Sequence, residues 1–186
     1  MIIGLAGPSC SGKTTLARQL AVALDAELLH LDTRWRGGPK VIVNGFPSRE
    51  RPEFYDGDAL LRDARRAAAS GRSIVLEGFL LFAHAEGREC YPGMAAFCDR
   101  KLFLDLPPPL QRARRMARTQ AGGNSVWGDL PEGHEAGVDR GWLAHGEAEW
   151  MLFGDPQRYV AGMTVLDGRL LAEEVLEQAM AAVGRP

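Results

Sequence analysis

Apolar residues fall into short continuous runs separated by stretches in which they recur at helical spacing. Met1 to Ala6 is an apolar run with the length and branching of a buried strand. Leu16, Leu20, Ala23 and Leu24 then recur three and four residues apart, which predicts a helix. A second strand is predicted over Glu27–Leu31, ending at Asp32. Thr33 to Glu53 carries Gly37, Gly38, Pro39, Pro47 and Pro52 and reads as a long irregular segment, of the kind that is usually functional or disordered. Leu60, Leu61, Ala64, Ala67 and Ala68 mark the apolar face of a helix from Asp58 to Ser70, with Gly71 as its stop.

The run from Ser73 to Phe82 begins as a third buried strand, which the charge of Glu77 interrupts. Lys101–Leu106 is the fourth strand, and Pro107-Pro108-Pro109 starts the next helix. That helix carries Arg112, Arg114, Arg115 and Arg118 and runs into the flexible sequence Ala121-Gly122-Gly123-Asn124. Val138, Trp142, Glu149, Trp150 and Phe153 suggest a further helix. Met163–Asp167 reads as a fifth strand, and Leu171, Val175, Leu176, Ala179, Met180 and Val183 as a closing helix ended by Gly184. No repeat or low-complexity tract divides the chain. Strands alternating with helices predict an α/β fold with five parallel strands and right-handed crossovers. Ligands bind such folds beyond the carboxyl ends of the strands, and the loop after the first strand, Asp32 and Glu77 all fall at or near such ends.

The loop after the first strand reads Gly7-Pro8-Ser9-Cys10-Ser11-Gly12-Lys13-Thr14, followed by Thr15. Strand, glycine loop and helix in this order form the context of a phosphate-binding P-loop. Gly7 and Gly12 let the backbone curl so that consecutive N–H groups form an anion nest, with the positive end of the helix dipole behind them. Lys13 would reach the β- and γ-phosphates, and the Thr14 hydroxyl would ligand Mg²⁺. The bland reading is a glycine-rich turn, which the flanking strand and helix disfavour. The fold class that follows is a P-loop NTPase three-layer sandwich, a five-stranded parallel sheet flanked by helices, with a mobile lid.

Composition narrows the setting. The chain has 186 residues, suiting a single domain over residues 1–186, and a formal net charge of −2, which gives no sign of a nucleic-acid or membrane surface. Cys10, Cys90 and Cys98 are too few and too scattered for a disulfide framework or a zinc site. Cys10, inside the phosphate loop, reads as a small filler in preference to a redox switch. No apolar run reaches membrane-spanning length, and the first strand lacks a signal peptide's basic flank, so a cytoplasmic location is expected.

A P-loop implies a nucleotide but names no reaction. Phosphoryl transfer also needs acidic groups for Mg²⁺ and a group that orients the attacking hydroxyl. Glu77, followed by Gly78, suits the metal shell, because an unpaired carboxylate within a buried strand would be costly. A core hydrogen bond or ion pair is its structural alternative. Asp32 would accept a proton from a substrate hydroxyl; otherwise it is a helix cap or turn former. The arginine helix is either a solvated basic face or a lid, roughly residues 112–130, whose arginines would neutralise the transferring phosphoryl group. The four histidines lack metal-ligand spacing.

These residues together resemble the uridine kinase and nicotinamide riboside kinase group of P-loop small-molecule kinases. The resemblance is carried by Gly7 to Ala17, by His30-Leu31-Asp32, by Ile74 to Phe82 and by Val165-Leu166-Asp167-Gly168. Leu106-Pro107 with the arginines that follow is similar to that group's lid helix. The resemblance implies that ATP is held by Gly7, Ser9, Cys10, Ser11, Gly12, Lys13, Thr14 and Thr15, with Lys13 and Thr14 holding phosphate and Mg²⁺. It implies Asp32 as general base, Glu77 as serving metal and substrate, and Arg114 and Arg118 as lid arginines. It also implies that Tyr55 stacks on the base and Asp56 binds the ribose hydroxyls, within an acceptor segment of roughly residues 33–58. Asp56 has a purely structural alternative as the cap of the helix near Asp58. Thr33-Arg34-Trp35 stand where the family often has a second acid and aromatics, and Gly37 to Pro52 and the stretch after Gly122, segments that would shape the acceptor pocket, depart from the pattern.

The expected function is therefore transfer of the ATP γ-phosphoryl to a small-molecule hydroxyl, with a ribonucleoside 5′-hydroxyl as the leading acceptor. The alternatives are a kinase of the same fold acting on another alcohol (a sugar acid, pantothenate or a drug) or a nucleotide-binding switch. No Asn-Lys-x-Asp guanine-reading sequence supports a GTPase switch.

Overall fold

A computed structural model describes residues 1–37, 41–43, 46–48, 52–85, 88–120 and 162–184. The glycine-containing stretch Ala121 to Asn124 and the helix expected around Val138 to Phe153 lie outside the described residues. Five parallel strands form the central sheet: β1 (Ile2–Ala6), β2 (Ala26–His30), β5 (Ser73–Glu77), β8 (Arg100–Asp105) and β9 (Thr164–Asp167). Their order is β2-β5-β1-β8-β9. The numbering gaps are two antiparallel pairs, β3 (Val41–Val43) with β4 (Phe46–Ser48) and β6 (His84–Ala85) with β7 (Arg88–Glu89). The helices are α1 (Lys13–Ala23), α2 (Gly57–Ala69), α3 (Met94–Phe97), α4 (Pro108–Gln120) and α5 (Ala172–Val183). Among the described residues, no helix is long and apolar enough to cross a membrane.

The central strands are apolar on both faces because helices cover both faces. Side chains alternate along a strand, so Ile3, Leu5 and Val75 face one way and Ala6, Ile74 and Leu76 the other. The first set packs with Leu16 and Leu20 of α1 and with Val175, Ala179 and Val183 of α5. The second set packs with Leu60, Leu61 and Ala64 of α2 and with Met94 of α3. Leu76 is fully buried in that second layer. Leu76→Ala is therefore expected to cost about 2–5 kcal/mol, seen in urea denaturation as a lower midpoint with an unchanged slope.

The segment expected to be irregular before Glu53 contains the β3–β4 hairpin and two single 3-10 turns, Asp32–Arg34 and Pro52–Phe54. After Glu77 the chain leaves the sheet at once. Phe79, Leu80, Leu81 and Phe82 stay buried in the α2 layer but belong to no strand. Hydrophobic continuity there reflects burial alone, since the Gly78 turn ends the ladder. Strand order also fixes the place of the site. The chain leaves β1 toward the β2 edge, whereas after β5 it crosses β1 to reach β8. The carboxyl ends of β1 and β5 thus flank the switch point where ligands bind in open parallel sheets.

Candidate active site

The phosphate loop spans the short gap between β1 and α1. Gly7 has φ 146°, and a Cβ there would lie 2.5 Å from the Leu104 carbonyl oxygen at the end of β8. Only glycine allows the loop to start this close to its neighbour strand. Cys10 takes a left-handed φ of 62°, an uncommon conformation for a non-glycine residue. No side chain caps α1 among the described residues and its first turn carries no acid, so its leading N–H groups form a ready anion site. Lys13 is buried, and its Nζ donates to the Pro8 carbonyl at 2.8 Å. The ammonium is thus folded back over the loop that it would share with a phosphate.

Strand register brings the acids to this loop. Glu77 ends β5, opposite Leu5 of β1 on one side and His30 of β2 on the other. The two-residue period of the strand puts Glu77 on the same face as Val75, the face that α1 covers. Its side chain is 3 % exposed. Oε1 accepts from the Thr14 hydroxyl at 3.4 Å, and Oε2 pairs with His30 Nδ1 at 2.7 Å. Gly78 follows because Leu31 passes directly above it: a Cβ at 78 would lie 2.6 Å from the Leu31 Cβ. That close pass carries the chain from His30 into the turn that begins with Asp32.

Asp32 is exposed. Partial loss of hydration and the nearby Glu77 charge raise its carboxyl above the usual range, while Lys13, His30 and Arg118 pull the other way. The hydrogen bond to Glu77 raises the His30 imidazole, against some loss of hydration. Thr14 Oγ1 and Glu77 Oε1 are hard oxygen donors side by side, which suits a small hard cation such as Mg²⁺. Among the described residues there is no group of three or more His, Cys, Asp or Glu to cage a metal. Phosphate and water would have to supply the remaining ligands.

A cavity of about 220 Å³ opens on the other side of the loop, toward β8 and α5. Thr15, Leu16, Gln19, Arg114, Gly168 and Val175 line it. The Ser11 hydroxyl and the Gln19 carbonyl oxygen are buried beside it without hydrogen-bond partners among the described residues. Arg114 braces its mouth, donating from Nη1 to the Ser11 carbonyl at 3.0 Å and from Nη2 to the Gly168 carbonyl at 2.9 Å. The arginine helix is therefore no plain solvated face, for Arg115 is only 6 % exposed and the Gln111 amide donates to the Leu106 carbonyl. Arg118, one turn beyond Arg114, is exposed, and its charge acts on Asp32.

Two stretches that follow Asp32 pair with each other. Residues 34–36 run against 54–56, with Arg36 N donating to Phe54 O and Asp56 N to Arg34 O, both at 2.8 Å. Trp35 meets Phe54 and Tyr55 edge to face, with centroids 5.5 and 5.2 Å apart. Asp56 caps α2, accepting from Ala59 N at 2.8 Å, and pairs with Arg36 at 2.6 Å. Arg36 and the Ala59 N–H hold its carboxyl below the usual range. The capping alternative for Asp56 is thus realised.

Thr14 meets Glu77 directly, and the charges of Glu77 and Lys13 both act on Asp32. Arg114 lies against the loop and Tyr55 packs on Trp35, three residues beyond Asp32. Sequence reasoning missed His30, Gln19 and Trp35. His30 had a readable signal, a polar residue near the end of the predicted strand Glu27–Leu31, two positions before Asp32.

Known proteins share the family and the fold of this chain. Residues 2–132 match the AAA domain family AAA_33. Uridine-cytidine kinase-like 1 of Mus musculus is 26% identical over 142 residues, which are 62% of this chain but only 26% of that protein. An unliganded sugar kinase from Janibacter sp. superposes with a TM-score of 0.58 at 19% identity, covering 98% of this chain and 93% of the other. A gluconokinase from Sinorhizobium meliloti gives 0.58 at 16% identity, with 97% and 90% covered. Deoxyadenosine kinase from M. mycoides gives 0.55 at 14% identity, with 98% of both chains covered. With a P-loop, a parallel sheet of this order and a family match over most of its length, the chain belongs to the AAA domain family AAA_33, in the fold of the P-loop small-molecule kinases.

Proposed function

We propose that this protein transfers the γ-phosphoryl group of ATP to a hydroxyl of a small molecule, with a ribonucleoside 5′-hydroxyl as the leading acceptor. The observation that carries the reading is the convergence of Lys13, Thr14, Glu77 and Asp32 at the switch point of the sheet. In this reading the cavity beside Arg114 takes the nucleobase, and the N-terminus of α1 with Lys13 takes the phosphates. Thr14 and Glu77 would hold Mg²⁺, which would offset the charge of the phosphates during transfer. Asp32 orients the acceptor hydroxyl and takes its proton as the new O–P bond forms. The bond from the γ-phosphorus to its bridging oxygen breaks, and ADP leaves. Arg118 would face the charge that spreads over the transferring group; of the lid expected near residues 112–130, residues 121–130 lie outside the described residues.

Trp35 and Tyr55 favour a planar acceptor such as a nucleoside, since aromatic faces bind flat rings with little loss of conformational entropy. A polyol or sugar acid is the second reading. It is favoured by the engagement of Asp56, the residue a ribose diol would meet, with Ala59 N and Arg36. ADP release measured over a panel of nucleosides, polyols and sugar acids separates the two. Turnover that does not depend on any acceptor would instead indicate a nucleotide switch. ATP as co-substrate and three free cysteines suit a cytoplasmic setting.

Arg114 gives a test of the base side. Lysine keeps the charge but cannot span the Ser11 and Gly168 carbonyls as a fork. Arg114→Lys is expected to weaken ATP binding about tenfold, or roughly 1.4 kcal/mol, by isothermal titration calorimetry.

A further inference from the structure

We infer that His30 is a positioning residue for Glu77, holding that carboxylate in the orientation that presents its other oxygen to the metal beside Thr14. The inference rests on the proposed metal-side reading of Glu77. Three observations carry it. His30 and Glu77 are register partners at the ends of adjacent parallel strands, so their side chains leave the sheet on the same face. The Nδ1–Oε2 contact of 2.7 Å is short, and it occupies the oxygen that does not face Thr14. The Glu77 side chain is 3 % exposed against 24 % for His30, so the acid is enclosed and the imidazole is its link to solvent.

A buried carboxylate with one oxygen fixed loses most of its rotational freedom about the last side-chain torsion. Oε1 then stays turned toward the Thr14 hydroxyl when the ion arrives. Carboxylates that ligate metals are commonly held by such outer partners, and removing the partner typically costs 10–100-fold in metal affinity. A purely structural His30 would stabilise the strand end without touching metal affinity.

The test measures Mn²⁺ binding by electron paramagnetic resonance to protein saturated with a non-hydrolysable ATP analogue, so that no acceptor is needed. His30→Ala is expected to raise the Mn²⁺ dissociation constant about 10–100-fold while analogue affinity without metal stays the same. His30→Asn, whose amide nitrogen lies where Nδ1 does, should restore most of the affinity. His30→Gln, which places its amide where Nε2 lies, should not. In a Glu77→Gln background, His30→Ala should add nothing further. If Glu77→Gln weakens Mn²⁺ binding and His30→Ala does not, the inference is overturned while the metal-side reading stands. If Glu77→Gln leaves binding unchanged, that reading falls and the inference with it. Additive losses in the double variant would mean that His30 acts by another route. Should His30→Ala fail to fold, the contrast between His30→Asn and His30→Gln decides the matter alone.

Discussion

Lys13→Ala is expected to abolish most ATP-dependent turnover in a protein that still folds. Lys13 is 8 % exposed, and its ammonium makes a 2.8 Å hydrogen bond to the Pro8 carbonyl of the loop it closes. A buried cation held by one carbonyl has donors to spare for an anion placed in the loop. Loss of one preorganised donor at a site of developing charge typically costs 10²–10³-fold in rate, and the lysine carries a full charge besides. The same change removes a ligand-linked stabilisation that needs no acceptor to observe. At one hundred times its dissociation constant a nucleotide adds about 2.7 kcal/mol to the folded state. The wild-type melting temperature should therefore rise with ATP, and that of Lys13→Ala should rise far less. Two unchanged readouts in a folded variant would remove the P-loop assignment.

The parts of the fold legible in the sequence are those specified by local pattern. Ser73–Glu77 is readable because both of its faces are buried, which leaves an unbroken apolar run ended by one charge. The phosphate loop is readable because glycine is required where it meets the Leu104 carbonyl. The two-residue strands of the β6–β7 hairpin show no period at all, and the β3–β4 pair hides among prolines. Long-range partnerships were not readable in any detail. Arg114 could be placed on a basic helix, but its grip on Gly168 joins residues 54 positions apart. His30 meets Glu77 across 47 positions, and only the register of two parallel strands puts them together. Asp56 shows the reverse case. An acid just before an apolar helical stripe is itself a capping signal, and the cap formed.

Asp32→Asn is expected to separate the two acids of the cleft. Asparagine keeps the shape and one hydrogen-bonding oxygen but gives up the charge and most of the basicity. If Asp32 takes the acceptor proton, kcat should fall by about 10²–10⁴-fold, the range for loss of a general base. ATP affinity and the ATP-induced rise in melting temperature should stay near wild type, because Asp32 lies beyond β2, outside the loop and the α1 N-terminus that would hold the phosphates. Glu77→Gln should behave differently. Glu77 shares the Thr14 hydroxyl, so its loss should move half-saturation to higher Mg²⁺ as turnover drops. Titrating Mg²⁺ at saturating ATP for both variants distinguishes these roles, since only one curve should shift. A shifted curve for Asp32→Asn with an unshifted one for Glu77→Gln would exchange the two assignments. Full activity in both would remove the two acids from the chemistry and leave the phosphate loop to bind nucleotide for another purpose.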